Sequence, residues 1–85
     1  MNVTVLTPRQ EVFHGEAQAV KVPGTTGIFE ILKGHAPIVS SLQKGVISIK
    51  TIQGEIVKFE IQHGFIEVLN NNVSILVNEA ETSPQ

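Results

Sequence analysis

Val57-Lys58-Phe59-Glu60-Ile61-Gln62 alternates apolar and polar residues without a break. Side chains along a strand point to opposite faces, so this spacing places Val57, Phe59 and Ile61 together on one buried face. The same period recurs on both sides, in Val3-Thr4-Val5, Val20-Lys21-Val22, Val46 to Ile52, Phe65 to Leu69 and Val73 to Val77. Val and Ile dominate these runs, as they do in half-buried strands. Turn-forming residues separate them: Thr7-Pro8, His14-Gly15, Pro23-Gly24, Lys44-Gly45, Gln53-Gly54, His63-Gly64 and Asn70-Asn71-Asn72. Strands this short, with turns this frequent, predict an all-β domain built as a sandwich or barrel.

Two of the turns read differently. Gln53-Gly54 joins two strongly patterned runs and predicts a hairpin tip. His63-Gly64 interrupts what is otherwise one run from Ile56 to Leu69, and predicts a bulge or corner where the strand passes from one sheet to the other. Helical spacing is confined to Ala36 to Gln43, where Ile38 and Leu42 stand four apart. That is about one turn, ended by Gly45. The domain is expected over residues 1–80, with 81–85 a polar, proline-bearing tail that frays.

At 85 residues the chain makes one small domain. Such a domain buries only about two-thirds of its surface, so partners are expected to add burial. Hydrophobic residues make up 41%, enough for a packed core. The formal charge is −2, and no block of like charge marks a nucleic-acid footprint. Cysteine is absent, which excludes a disulfide framework and a thiolate metal site. The first residues, MNVTVLTPRQ, lack the pattern of a signal peptide, and no apolar run approaches the roughly 18 residues of a membrane span. Any membrane association is expected to run through partners.

The stretch GTTGIFEILKGHAP, residues 24–37, gathers glycines, a proline and a histidine, and so invites a chemical reading. A phosphate-binding loop needs Gly, four residues, then Gly-Lys-Ser/Thr before a helix; here Lys33 precedes Gly34 and no helix-length pattern follows. The chain has no aspartate, so a Ser-His-Asp triad could exist only with glutamate as its third member, and none of the serines lies in a Gly-x-Ser-x-Gly elbow. No lysine has the neighbours of a biotin- or lipoate-carrying hairpin. His14, His35 and His63 are the candidates for metal binding or proton transfer, but their spacing does not converge them. His14 and His63 read as solvated turn residues, and Glu30 as a surface carboxylate. What remains is a surface. In Ile28-Phe29-Glu30-Ile31-Leu32, alternation turns Phe29 and Ile31 inward and leaves Ile28 and Leu32 outside, either as a docking patch or covered by another part of the sandwich.

Several segments taken together are recognisable: Val22-Pro23-Gly24-Thr25-Thr26-Gly27, Ile31 to Val39 with Gly34-His35-Ala36-Pro37 at its centre, Leu42 to Ile49, Phe59 to Val68, and Asn72 to Val77. In this combination, across residues 3–80, the chain resembles the epsilon subunit of F-type ATP synthases. The resemblance implies a β-sandwich of two five-stranded sheets, about ten short strands, at the foot of the central stalk. It implies a gamma subunit on one side and the polar loops of the membrane rotor ring of c subunits on the other. Rotation driven by protons or sodium ions would pass through this domain to the catalytic head. The domain itself would have no active site, metal or cofactor, and would lie peripherally on the cytoplasmic face of a bacterial cell membrane.

Position by position, Gly27, Ile28, Phe29 and Glu30 match the family's ring-facing loop, with Ile28 where members often carry an acidic or polar residue. Leu32 and Lys33 extend that ring side. Thr7, His35, Ala36 and Pro37 fall on the gamma side. Epsilon subunits typically continue into a helical hairpin that inhibits hydrolysis and in some members binds ATP. The sequence stops at Gln85, so a short form without inhibitory helices or a nucleotide site is expected. The alternatives are a β-sandwich adaptor for an unrelated protein and a metalloenzyme built on the three histidines.

Overall fold

Two strands of 14 residues each organise the molecule. The structure, a computed structural model, describes residues 1–79, so the expected tail at 81–85 lies outside the described residues. The seven strands are β1 (Asn2–Leu6), β2 (Glu11–Gly24), β3 (Gly27–Leu32), β4 (Ile38–Leu42), β5 (Gly45–Thr51), β6 (Ile56–Leu69) and β7 (Asn72–Glu79). No helix occurs among the described residues.

Each long strand serves two sets of partners. Residues 11–16 of β2 pair with β1, while residues 17–24 pair with β5 and β3. Residues 56–61 of β6 pair with β5, and the rest of the strand pairs with β7 and β4. In both strands the exchange coincides with a register shift, between Ala17 and Ala19 in one and between Ile61 and His63 in the other. An extra residue on one side of a ladder bends and twists the strand, which carries it from one layer to the next. The first layer runs β3-β2-β5-β6 and the second β2-β1-β7-β6-β4. Within the second, β1 and β7 are parallel.

The sandwich expectation holds, and His63-Gly64 marks the predicted corner. Among the described residues the layers hold four and five strand segments rather than the expected five and five: β2 and β6 each supply a segment to both without a break, so seven strands make nine segments. Other expectations are corrected. His14-Gly15 is no turn: both residues pair with β1 inside β2. Pro23-Gly24 ends β2, and the reversal comes one step later, at Thr25-Thr26. Ala36 to Gln43 forms no helical turn but contains β4, with Leu42 buried and Val39 facing out. Residues four apart share a face in a strand as well as in a helix, so that spacing alone could not decide. Pairing with β6 decided it.

Between the layers lie Val3, Val5, Val20, Val22, Ile31, Ile47, Ile49, Ile61, Ile66, Val68, Val73 and Ile75, all essentially inaccessible to solvent. Each fully buried side chain of this size contributes about 1.5–3 kcal/mol from water removal. Val57 and Phe59 pack against this core half-buried, beside the Ile61 of the founding alternation. Phe13 meets Phe59 edge-to-face, at 6.4 Å between ring centroids. The hairpins close as predicted at Gly54, whose φ is 93°, and at Asn70-Asn71, with φ of 51° and 63°. Positive φ at both loop residues is the type I′ geometry that suits the twist of paired strands.

A candidate partner-docking surface

The outer face of the second layer carries a row of apolar side chains that the core does not use. Phe65 on β6 stands opposite Leu76 on β7, and Leu76 stands opposite Leu6 on β1. Phe65 is 57% exposed and Leu76 54%. Val39, opposite Glu67, and Leu69 add exposed apolar groups to the same face. Phe65 and Leu76, with Leu6, Thr7, Pro8 and His63, line a concavity of about 240 Å³. Gly64 also lines it, and a Cβ there would run into the Leu76 carbonyl oxygen and the Val77 Cγ1.

Polar groups rim this row. The Asn78 side-chain amide lies 2.9 Å from His63 Nε2 and donates to it. Thr4 Oγ1 and His14 Nδ1 are 3.1 Å apart on neighbouring strands. Both histidines are therefore exposed strand residues rather than the expected turn residues. His35 belongs to the loop after β3, with its ring Nδ1 2.7 Å from the Ala36 carbonyl oxygen. No three metal-ligating side chains come together among the described residues. The Phe65 and Leu76 side chains offer apolar contact area on this face.

The residues expected on the gamma side bracket this row. Thr7 follows β1 at the Phe65 end, where its hydroxyl accepts from the Arg9 and Gln10 amides and closes the β1–β2 turn. His35, Ala36 and Pro37 precede β4 at the far end of the layer, next to the Ile38–Val68 pair. About five strand residues, roughly 16 Å, separate the two groups.

The residues expected on the ring side divide along β3. Gly27 and Ile28 stand beside the Thr25-Thr26 turn, with Ile28 73% exposed. That turn is tied to β4 by Thr25 N–H donating to the Ser41 carbonyl at 3.2 Å. Glu30 points outward opposite Lys21, and Phe29 turns inward, half-buried against the core. Leu32 and Lys33, both exposed, emerge at the other end of the strand, beside His35. Ile28 and Leu32 are thus uncovered, which resolves the alternative left open by their alternation.

A family model described as the ATP synthase delta/epsilon chain β-sandwich domain matches residues 1–83. The chain belongs to that family. Among epsilon-chain relatives, that of Leptospira borgpetersenii is 43% identical over 79 residues, covering 92% of this chain and 61% of the relative. The epsilon chain of Synechococcus elongatus is 42% identical over 81 residues, covering 95% of this chain and 58% of its own length. The chloroplastic epsilon chain of Porphyra purpurea is 36% identical over all 85 residues and 63% covered. This epsilon-type chain therefore spans about three-fifths of the length of the curated relatives it matches. Two solved structures share the fold. One chain, from the Euglena gracilis mitochondrial ATP synthase, gives a TM-score of 0.85 at 23% identity, covering 93% of this chain and 51% of that one. Another, from the Tetrahymena thermophila mitochondrial ATP synthase, gives 0.78 at 21%, covering 93% and 63%.

Sequence reasoning passed over Phe65, Leu69, Leu76 and Val39. A signal for them exists: Phe65-Ile66 and Ile75-Leu76-Val77 place apolar residues at consecutive positions, so both faces of those strands are apolar. A strand with only one buried face has no need of that.

Proposed function

We propose that this epsilon-type domain is a non-catalytic rotor element that couples a membrane ring to the catalytic head of an ATP synthase. The observation that carries the reading is the Leu6–Leu76–Phe65 row, with Phe65 and Leu76 exposed and Leu6 half-buried, bracketed by Thr7 and His35–Pro37, in a chain of this family. Apolar area of this kind at a domain surface marks a protein contact, and gamma is the partner that the bracketing residues favour. The solved relatives come from ATP synthase assemblies that include a c-ring, one of them with the central stalk, which supports placing this domain between ring and stalk. The end bearing Thr25 to Ile28 is the ring-facing end in this reading. Ile28 stands at the centre of that contact, with Glu30 exposed on the same strand.

The domain needs no cofactor for this role. No helix among the described residues is long and apolar enough to cross a membrane, and peripheral attachment at the cytoplasmic face of a bacterial membrane would come through gamma and the ring. The test is binding to purified gamma subunit by calorimetry. Phe65→Ser and Leu76→Ser are expected to weaken binding by tenfold or more, roughly what losing a buried interface anchor does, with circular dichroism unchanged. Wild-type affinity in both variants would exclude this face as the gamma contact.

A further inference from the structure

Asn71 belongs to the β6–β7 turn, yet its side chain reaches out of that turn. Its Oδ1 accepts the Gly34 amide at 3.2 Å, while its backbone carbonyl accepts the Asn2 amide at 3.1 Å. One residue thus ties three segments together: its own turn, the start of β1, and the loop Lys33–Pro37. That loop has little else to fix it by hydrogen bonding. His35 N–H donates to the Leu32 carbonyl at 3.0 Å, and the His35 ring meets the neighbouring Ala36 carbonyl; both contacts are local to the β3–β4 connection. Gly34, at φ 80°, is where the loop reverses. A glycine at a reversal gives the chain wide conformational freedom, so an anchor on that residue's own amide restricts the loop where it is loosest.

We propose that Asn71 is the positioning residue that holds the Lys33–Pro37 loop in its docking conformation. The inference rests on the reading above, in which that loop rims the gamma-facing surface. Binding costs less when a loop is already ordered in its bound form. A single side-chain acceptor supplied by the neighbouring hairpin does that ordering here.

Asn71→Gly separates the latch from the turn. Glycine adopts the positive φ of position 71 without strain, and Asn-Gly is a favoured type I′ pair, so the hairpin is kept while the acceptor is lost. Asn71→Asp keeps an acceptor oxygen at a position where aspartate tolerates the left-handed region. The readouts are Gly34 amide exchange by NMR and affinity for purified gamma subunit. In the glycine variant, Gly34 exchange should rise and gamma affinity fall, each by roughly two- to tenfold, the net worth of one hydrogen bond. In the aspartate variant both should stay near wild type. Unchanged Gly34 exchange in Asn71→Gly would overturn the latch. Faster exchange with unchanged affinity would overturn its role in docking. Wild-type protein that does not bind gamma would overturn the functional reading and the docking role together.

Discussion

Ile28 and Ile31 lie three residues apart on β3 and have opposite fates. Ile31 is inaccessible to solvent and Ile28 is 73% exposed. Truncating Ile31 to alanine should cost about 2–5 kcal/mol, because the core cannot close over the lost methyl groups. Ile28→Lys should change stability by no more than about 0.5 kcal/mol, while weakening attachment to the rotor ring. Urea denaturation of the two variants measures the contrast, and equal losses would place Ile28 in the core. Gly64 is a different case. Its missing side chain leaves room for the Leu76 carbonyl and Val77, so Gly64→Ala forces the β6 and β7 backbones apart. A loss of about 1–3 kcal/mol is expected by the same measurement, the usual cost of overpacking. The sequence marks Gly64 as unusual, but the atoms that forbid a Cβ come from a strand twelve residues away and are visible only once the pair has formed.

Among the elements, the turns were the most legible and the strand ends the least. Gln53-Gly54 announced its hairpin because the β5–β6 reversal needs a residue with positive φ, and Gly54 supplies it. Nothing lies within 4 Å of a Cβ added to Gly54, so Gly54→Ala isolates the backbone term. It should destabilise the domain by about 1–2 kcal/mol, read as a lowered thermal midpoint with the fold unchanged. The same kind of reasoning misread His14-Gly15. Glycine beside a polar residue suggests a turn, but here β1 pairs straight through it, from Asn2↔Glu16 to Val5↔Phe13. Local turn preference lost to a continuous ladder of backbone hydrogen bonds. At β4 the local pattern was ambiguous, and β6 removed the ambiguity.

For the whole molecule, the question is how a small domain tolerates a face as apolar as the Leu6–Leu76–Phe65 row. Docking would cover it, and a partner that binds the folded form stabilises it by mass action. At 100-fold excess of gamma over the dissociation constant this amounts to about 2.7 kcal/mol. For a domain of this size, each kcal/mol raises the thermal midpoint by roughly 4–8 °C. Differential scanning fluorimetry with increasing gamma should therefore show a saturable rise, and Phe65→Ser should reduce it. A midpoint indifferent to gamma would count against the coupling role.

Alternation of apolar and polar residues by itself determined that this chain makes strands, that Ile31 and Ile61 enter the core, and where most hairpins close, because side-chain period and turn stereochemistry are local properties. The resemblance of its segments pointed to the family on the same local information. Tertiary structure alone decided that β2 and β6 each serve both layers, that Thr7 and His35–Pro37 bracket one face, and that Gly27-Ile28 and Leu32-Lys33 part company along β3. It also brought the Asn71 side chain to Gly34, residues 37 apart in sequence. Those placements depend on register and on the bulges that bend the long strands, and register is set by pairing between distant segments rather than by any one of them.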